Sequence, residues 1–264
     1  MKKNQNKVAM VTGAASGIGY AVAQRFLSSN VATILVDINN EKLDVVTKSL
    51  QKDYDNVFSF ICDLTKEEEV QLLIPKIIEK VERIDILVNC AGVSPIGSVT
   101  EISLLEFRKT IDINLISIFL TCKYILPYMM SMENGVIINI VGTLGLKAIR
   151  RKASYCATKA AVHNLSQQMA LDYGDYGIRI NSVSPGFVDT PLNKDLTDEI
   201  RSLILESQPL HKAESGQDIA ESVYFLSSDA ASLITGTNLV IDGGQSASQG
   251  SLSAVDYWAS RLGD

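Results

Sequence analysis

The chain has 264 residues, of which 46% are hydrophobic and 20% charged, and its formal net charge is -6. That apolar share suits one large α/β domain. The acidic balance offers no basic field, so nucleic acid and anionic membrane are poor partners and a small molecule is the natural one.

Met1 to Lys7 are polar and lead straight into a first apolar run, Val8 to Thr12, without the apolar core of a secretory signal, so a cytoplasmic protein is expected. Six further short runs rich in β-branched residues follow: Ala32 to Asp37, Val57 to Asp63, Asp85 to Asn89, Gly135 to Val141, Ile178 to Ser184 and Asn238 to Asp242. Longer segments of helical period separate them. The alternation predicts βαβ units, and the nearly continuous apolarity of the runs predicts strands covered on both faces by helices. The expected fold class is α/β: a single doubly wound domain over residues 1–264 with a mostly parallel, seven-stranded sheet. Residues 245–264, rich in Ser and Gly before Asp256-Tyr257-Trp258, read as a C-terminal tail packed either on the body or on a neighbouring subunit. Cys62, Cys90, Cys122 and Cys156 lie in or beside apolar runs without C-x-x-C spacing, which predicts reduced, packed thiols. With only His163 and His211 available, no catalytic metal is expected.

The first chemical feature lies between the first run and a helix starting near Gly17: Thr12-Gly13-Ala14-Ala15-Ser16-Gly17-Ile18-Gly19. Glycines there let the backbone turn sharply, approach a pyrophosphate and present it to the positive end of a helix. Their spacing, G-x-x-x-G-x-G, departs from the usual G-x-G-x-x-G fingerprint. Asp37 ends the second run about 20 residues later, where a carboxylate accepts from adenosine ribose hydroxyls and repels a 2'-phosphate, favouring NAD over NADP. Its alternative role is a helix cap ahead of Glu41. Asn114 stands in a long apolar segment, where an amide needs partners. Tyr155 and Lys159 are one helical turn apart on a helix expected to run through Ala170. An ammonium beside a phenol lowers the phenol's pKa, as would a positive nicotinamide ring, so Tyr155 can exchange a proton with an alcohol while Lys159 reaches the nicotinamide ribose. The cationic stretch Lys147 to Lys152 is either a collector of carboxylate or phosphate, or a solvated loop or subunit contact. Phe187 to Lys212 has the composition of a mobile lid over the substrate.

Thr12 to Gly19, Asn89-Cys90-Ala91-Gly92, Asn114, Tyr155-Cys156-Ala157-Thr158-Lys159 and Pro185-Gly186 together resemble the short-chain dehydrogenase/reductase family, from Lys7 to about Gly244. The resemblance implies a Rossmann-type fold and an NAD(H)-dependent oxidoreductase that interconverts a secondary alcohol and a ketone by hydride transfer. It also implies a homo-oligomer, commonly a tetramer, with the last strand and Asp242-Gly243-Gly244 near a subunit contact. By the same resemblance Gly13, Ser16, Gly17, Ile18 and Gly19 hold the pyrophosphate, and Asp63-Leu64 meets the adenine ring. Asn89 supports the sheet, while Ala91 and Gly92 leave room for the adenosine. Pro185, Gly186, Val188 and Thr190 hold the nicotinamide carboxamide. Asn114 bends its helix around a water that links Lys159 to solvent, or is simply satisfied by backbone carbonyls.

The chain departs from the family at one point. The family's Ser hydroxyl, thirteen residues before the catalytic Tyr, falls on Gly142, while Gly145 matches a family glycine and supports the register. Thr143 can supply the hydroxyl if the backbone leaves strand geometry at Gly142. A water or a substrate hydroxyl can also supply it. The rival reading is a catalytically silent NAD-binding regulatory or scaffold protein. Sugar acids, hydroxy-acyl esters, polyols and steroids all remain open as substrates.

Overall fold

The computed structural model describes residues 7–193 and 196–247. The apolar runs form β1 (Val8–Thr12), β2 (Ala32–Asp37), β3 (Val57–Ile61), β4 (Ile86–Asn89), β5 (Gly135–Ile140), β6 (Ile178–Pro185) and β7 (Asn238–Ile241). They hydrogen-bond in the order β3-β2-β1-β4-β5-β6-β7. Every neighbouring pair is parallel, so the sheet is wholly and not mostly parallel. The third run stops at Ile61, two residues short of the expected Asp63: the Cys62 amide still donates to the Asp37 carbonyl of β2 at 3.2 Å, but the Asp63 amide turns to the Glu69 carboxylate of the next helix at 2.9 Å. The strand order reverses between β1 and β4, and the carboxyl ends of strands at such a switch point are where open α/β sheets bind ligands.

The helices are α1 (Gly17–Ser28), α2 (Asn40–Leu50), α3 (Glu67–Val81), α4 (Leu104–Ile111), α5 (Ser117–Ser131), α6 (Ala153–Tyr173), α7 (Asp198–Glu206) and α8 (Gly216–Ser227). Side chains alternate across the pleat, so successive strand residues enter opposite cores. Met10, Ile34, Leu87 and Ile137 pack with Ile74 and Ile77 of α3, Ile118 and Ile125 of α5, and Val162 and Met169 of α6. Ala9, Val11, Leu35, Val88 and Ile138 face the other way, onto Val22 and Phe26 of α1, Leu43 of α2, and Ile219 and Val223 of α8. The continuous run Leu104–Ser131 is long and apolar enough to cross a membrane, yet half of its most apolar window is buried in the body. A five-residue π-helical turn, Asp112–Ile116, interrupts it and carries Asn114.

The beginning of the expected tail packs on the body. Gln245 donates to the Ser207 hydroxyl at 2.6 Å, and Lys147 donates to the Ser246 carbonyl. Residues 248–264 of that tail lie outside the described residues.

Candidate active site

The turn after β1 is shaped by contacts that leave no room for a side chain. A Cβ on Gly13 would stand 2.8 Å from the Ala91 Cα, and one on Gly19 would stand 2.3 Å from the Gly13 carbonyl oxygen. The Thr12 hydroxyl accepts from the amides of Cys90 and Ala91 at 3.0 and 3.3 Å, which locks the end of β4 against the same turn. α1 therefore starts at the rim of a cleft of about 430 Å³ lined by Gly13, Ser16, Gly17, Ile18 and Asp37 on one side and Asp63, Leu64, Ala91 and Gly92 on the other. Ser16, the N-cap of α1, makes no side-chain cap bond, and the helix carries no acid in its first turn. The Gly19 amide lies on the Cys90 thiol, and those of Gly17 and Ile18 are left to receive an anion, in contrast to α2, α4 and α8, whose N-termini are capped by Asn39, Ser103 and Ser215.

Asp37 ends β2 and lines the cleft. Its Oδ2 accepts from the Ala15 amide at 3.1 Å and its Oδ1 from the Asn39 amide at 2.9 Å. Each oxygen keeps a lone pair for a ribose hydroxyl. The alternative of a helix cap goes to a different residue: Asn39, whose Oδ1 accepts from Lys42, caps α2. The cleft as built fits a dinucleotide: an uncapped helix start for the pyrophosphate and a half-buried carboxylate at the adenosine end.

Tyr155 and Lys159 lie on α6, which runs past Ala170 to Tyr173. The Lys159 ammonium donates to the Ile140 carbonyl at 2.8 Å and lies 5.7 Å from the Tyr155 ring centroid. A Cβ on Gly92 would meet the Asn114 Oδ1 at 3.3 Å and the Lys159 Nζ at 3.6 Å, so these three residues converge. The expected lowering of the Tyr155 pKa by Lys159 is not what the protein alone produces. Burial, reinforced by the neighbouring Cys156 and Cys90 thiols, pushes the phenol up to about 12. Burial also pulls Lys159 down to about 8, which weakens the cation that was expected to help. Asn114 is satisfied on the protein: Oδ1 accepts from the Val93 amide at 2.8 Å, and Nδ2 donates to the Val93 carbonyl at 2.9 Å and the Thr158 hydroxyl at 3.2 Å. Its side chain thus ties the loop after β4 to α6, and its π turn opens the helix there.

Gly142 explains its own residue type. Its φ of +96° and ψ of 152° lie in a backbone region that is essentially reserved for glycine. The chain leaves strand geometry there and enters a short helical turn, Thr143–Gly145, which meets the condition set for Thr143. Gly145 packs on α6, where its Cβ would stand 2.9 Å from the Lys159 carbonyl carbon, in keeping with the register. A Cβ at position 142 would sit 3.4 Å from the Tyr155 hydroxyl and 3.8 Å from the Pro185 carbonyl oxygen. The position faces the phenol and is open.

The other expected residues divide. Thr190 reaches the cleft. Asn89 is structural: buried, it donates to Asn139 Oδ1 at 2.8 Å and accepts from the Thr121 hydroxyl at 2.9 Å. Pro185 ends β6, Gly186 and Val188 belong to the loop beyond it, and none of the three lines the cleft. The cationic stretch does not converge on one anion: Arg151 pairs with Glu101, Lys147 binds the Ser246 carbonyl, and Lys152 turns inward. The half-buried Lys152 ammonium donates to the carbonyl and hydroxyl of Ser94, both at 2.8 Å, and lies 6.0 Å from the Tyr155 ring centroid. Burial lowers its pKa, and among the described residues no carboxylate lies within salt-bridge distance. Sequence reasoning missed Ile38, Thr65, Val93, Ile113 and Ser117 in the cleft wall. The helical period offered a signal only for Ile113 and Ser117, which share a face of the helix carrying Asn114.

Residues 13–246 match a family model described as enoyl-(acyl carrier protein) reductase. The chain is 37% identical to meso-2,3-butanediol dehydrogenase of Serratia marcescens over 245 residues, covering 93% of this chain and 96% of the relative. It is 34% identical to the NAD-dependent glycerol dehydrogenase of Listeria innocua serovar 6a over 244 residues, covering 90% and 93%. The solved structure of ElxO with NADP bound superposes with a TM-score of 0.86 at 34% identity, covering 92% of this chain and all of that one at 100%.

Proposed function

The chain belongs to the short-chain dehydrogenase/reductase family, and from that membership we propose that it is an NAD(H)-dependent oxidoreductase interconverting a secondary alcohol and a ketone, with Tyr155 as the general acid/base. The observation that carries this reading is the convergence of Tyr155, Lys159 and the open position at Gly142 at the carboxyl end of β5. NAD(H) would supply or accept the hydride. In reduction the Tyr155 hydroxyl gives its proton to the carbonyl oxygen, and in oxidation the phenolate takes a proton from the alcohol. Lys159 holds positive charge beside the phenol, and Asn114 keeps the Gly92 loop in contact with α6. Thr143 is the protein's own candidate for the missing hydroxyl.

Asp37 supports NAD over NADP: its carboxylate, held by the Ala15 amide in the cleft wall, would repel a 2'-phosphate. The relatives include one named NAD-dependent and a neighbour solved with NADP, so the preference rests on Asp37 itself. The silent-binder reading has only the Gly142 vacancy in its favour, whereas the named relatives are dehydrogenases.

That vacancy bears on the substrate. Two relatives are named for a vicinal diol and a triol. A vicinal diol or α-hydroxyketone brings a second hydroxyl beside the reacting carbon, which can occupy the space open at Gly142. A second reading is favoured by Lys152, an inward cation near the phenol with no carboxylate partner among the described residues: it suits a substrate bearing a carboxylate. We place the protein in the cytoplasm as a homo-oligomer of the tetramer type. Four free thiols support the first statement, and exposed Leu104, Leu105 and Leu171 the second.

The test is NADH oxidation with a panel containing acetoin, butanedione, butanone and a 3-oxo acid. Tyr155→Phe should abolish turnover of whichever ketone is reduced while nearly keeping NADH binding, because only the hydroxyl is lost. Near-normal turnover by the Phe variant would overturn the acid/base role.

A further inference from the structure

Glu214 stands between α7 and α8, outside the cleft already described. Its backbone joins the loop beyond β6: its N–H donates to the Phe187 carbonyl at 3.0 Å, and its carbonyl accepts from the Asp189 amide at 3.1 Å. The side chain is buried, 6% of the residue being exposed, and is wedged against Gly186, whose Cβ would stand 3.0 Å from Oε1. Gln208, fully buried in the segment that follows α7, donates from Nε2 to Glu214 Oε1 at 3.3 Å.

Two atoms of this pair have no hydrogen-bond partner among the described residues: Glu214 Oε2 and Gln208 Oε1. Both are acceptors in the ionised form. A buried carboxylate with one long side-chain hydrogen bond and, among the described residues, no cation within salt-bridge distance is costly. A single proton repairs both deficits, since an acid O–H at Oε2 donates to Gln208 Oε1 while Nε2 donates to Oε1, a cyclic acid–amide pair.

The charges around it act in the same sense. Asp242, at the end of β7, spends its oxygens on the amides of Gly244 and Ser246. Asp218 of α8 closes the capping box with Ser215 and draws the Lys212 ammonium to 4.0 Å. Asp189 is held by Arg201, and the His211 ring lies on the Leu205 carbonyl. Burial raises Glu214 most, its own backbone N–H partly offsets this, and Asp242 and Asp218 add to the rise, which reaches about 7, within reach of physiological pH.

We infer that Glu214 is a positioning residue that works as a neutral acid: paired with Gln208 through two hydrogen bonds, it pins the segment after α7 to the Gly186–Asp189 stretch, and its ionisation loosens that join. Gly243, whose Cβ would lie 3.5 Å from Gln208, and the Leu210 amide bound to the Gly243 carbonyl extend the join to the end of β7. The consequence for cofactor affinity rests on the proposed NAD(H) function and on the nicotinamide role that the family resemblance implies for Gly186 and Val188.

The experiment compares the full-length protein with Glu214→Gln and Glu214→Ala by NADH titration at about pH 6 and about pH 8.5. Infrared difference spectra follow the protonated carboxylic-acid band. Gln carries an amide that can replace the acid O–H and does not titrate. The native Kd should rise about tenfold across this range, the change given by a one-unit difference in a linked pKa. Glu214→Gln should keep the low-pH affinity throughout, and Glu214→Ala should bind weakly at both values. Titration of Lys159 is common to native protein and Gln variant, so it cancels in their ratio. The acid band should be present at about pH 6, fade by about pH 8.5 and be missing from Glu214→Gln. Parallel slopes for native and Gln proteins, or a Gln variant as weak as Ala, would overturn the positioning role. If the Ala variant fails to fold, the native-to-Gln ratio and the infrared band still decide. NADH binding without a Glu214-dependent slope would sink this inference and leave the cofactor reading intact. A titrating acid band in a protein that binds no NADH would do the reverse.

Discussion

Gly142→Ser tests whether the open position beside Tyr155 is a catalytic vacancy that a substrate fills. The backbone there has φ +96° and ψ 152°, a conformation that costs a residue with a Cβ about 1–3 kcal/mol. For a chain of this size that lowers Tm by about 2–12 °C. Space is not the obstacle, since the new Cβ would lie at ordinary contact distances, 3.4 Å from the Tyr155 hydroxyl and 3.8 Å from the Pro185 carbonyl. A Ser hydroxyl one bond further out comes within hydrogen-bond reach of the phenol or of a ketone oxygen bound to it. Gly142→Ala carries the same strain without the donor, so the ratio of Ser to Ala kcat isolates the hydroxyl. A well-placed oxyanion donor is worth about 10²–10³ in kcat. Imperfect placement on a strained turn leaves an expected ratio of about 10 for butanone, measured by NADH absorbance. For acetoin, whose own hydroxyl fills the space, the ratio should be close to one. A ratio near one for both ketones would refute the vacancy. If Thr143→Val lowers kcat by about 10² on both ketones, the donor is Thr143 and the substrate hydroxyl is not needed.

Asp37→Ser should reduce the preference for NADH over NADPH by about tenfold or more, read by fluorescence titration, because it removes the charge that opposes a 2'-phosphate. An unchanged ratio would take Asp37 out of the ribose role. Lys152→Gln should raise KM for a 3-oxo acid by about tenfold and leave KM for acetoin alone, as expected when one charge-assisted contact is lost. Equal rises for both would mean that Lys152 only holds the Ser94 loop. The folded protein holds the Lys159 proton less tightly than the unfolded chain does, with a pKa of about 8 against the usual 10.5. The unfolded state therefore binds more protons in that window, stability should rise with pH from about 8 to about 10.5, and the penalty is complete below about 8. Lys159→Met should lose this slope in urea titrations while losing turnover, and a slope that survived in the Met variant would show that another group titrates.

The parallel sheet was legible because its runs are nearly all apolar, and Ala9, Met10 and Val11 show why: consecutive residues of β1 enter different cores, so no polar face is left to alternate. Tyr155 and Lys159 were legible because helical spacing is a local rule. What escaped the sequence depends on tertiary placement. Nothing local distinguishes Lys152 from Arg151, yet one turns toward the phenol and the other pairs with Glu101. The acid–amide pair joins Gln208 to Glu214, whose neighbours Gly186 and Asp242 each follow a different strand, β6 and β7. Asn114 was singled out for its polarity in an apolar segment, but its true partner, the backbone of Val93, lies on another element and is set by the π turn.

The electrostatics of the site also favour one form of the phenol. With Tyr155 at about 12 and Lys159 at about 8, burial acts on both in the direction of neutrality. The protein by itself therefore keeps Tyr155 as a proton donor through the whole neutral range, the form that reduction of a ketone requires. Oxidation of an alcohol requires the phenolate, and Lys159 can favour it only while charged, below about 8. The burial that opposes each charge singly also lowers the local dielectric, which strengthens the attraction between the two once both are present. An acid–base pair of this kind is therefore set by whatever positive charge joins it in the cleft. The residues alone hold Tyr155 in its proton-donor form, and formation of the phenolate turns on the positive charge that joins it in the cleft.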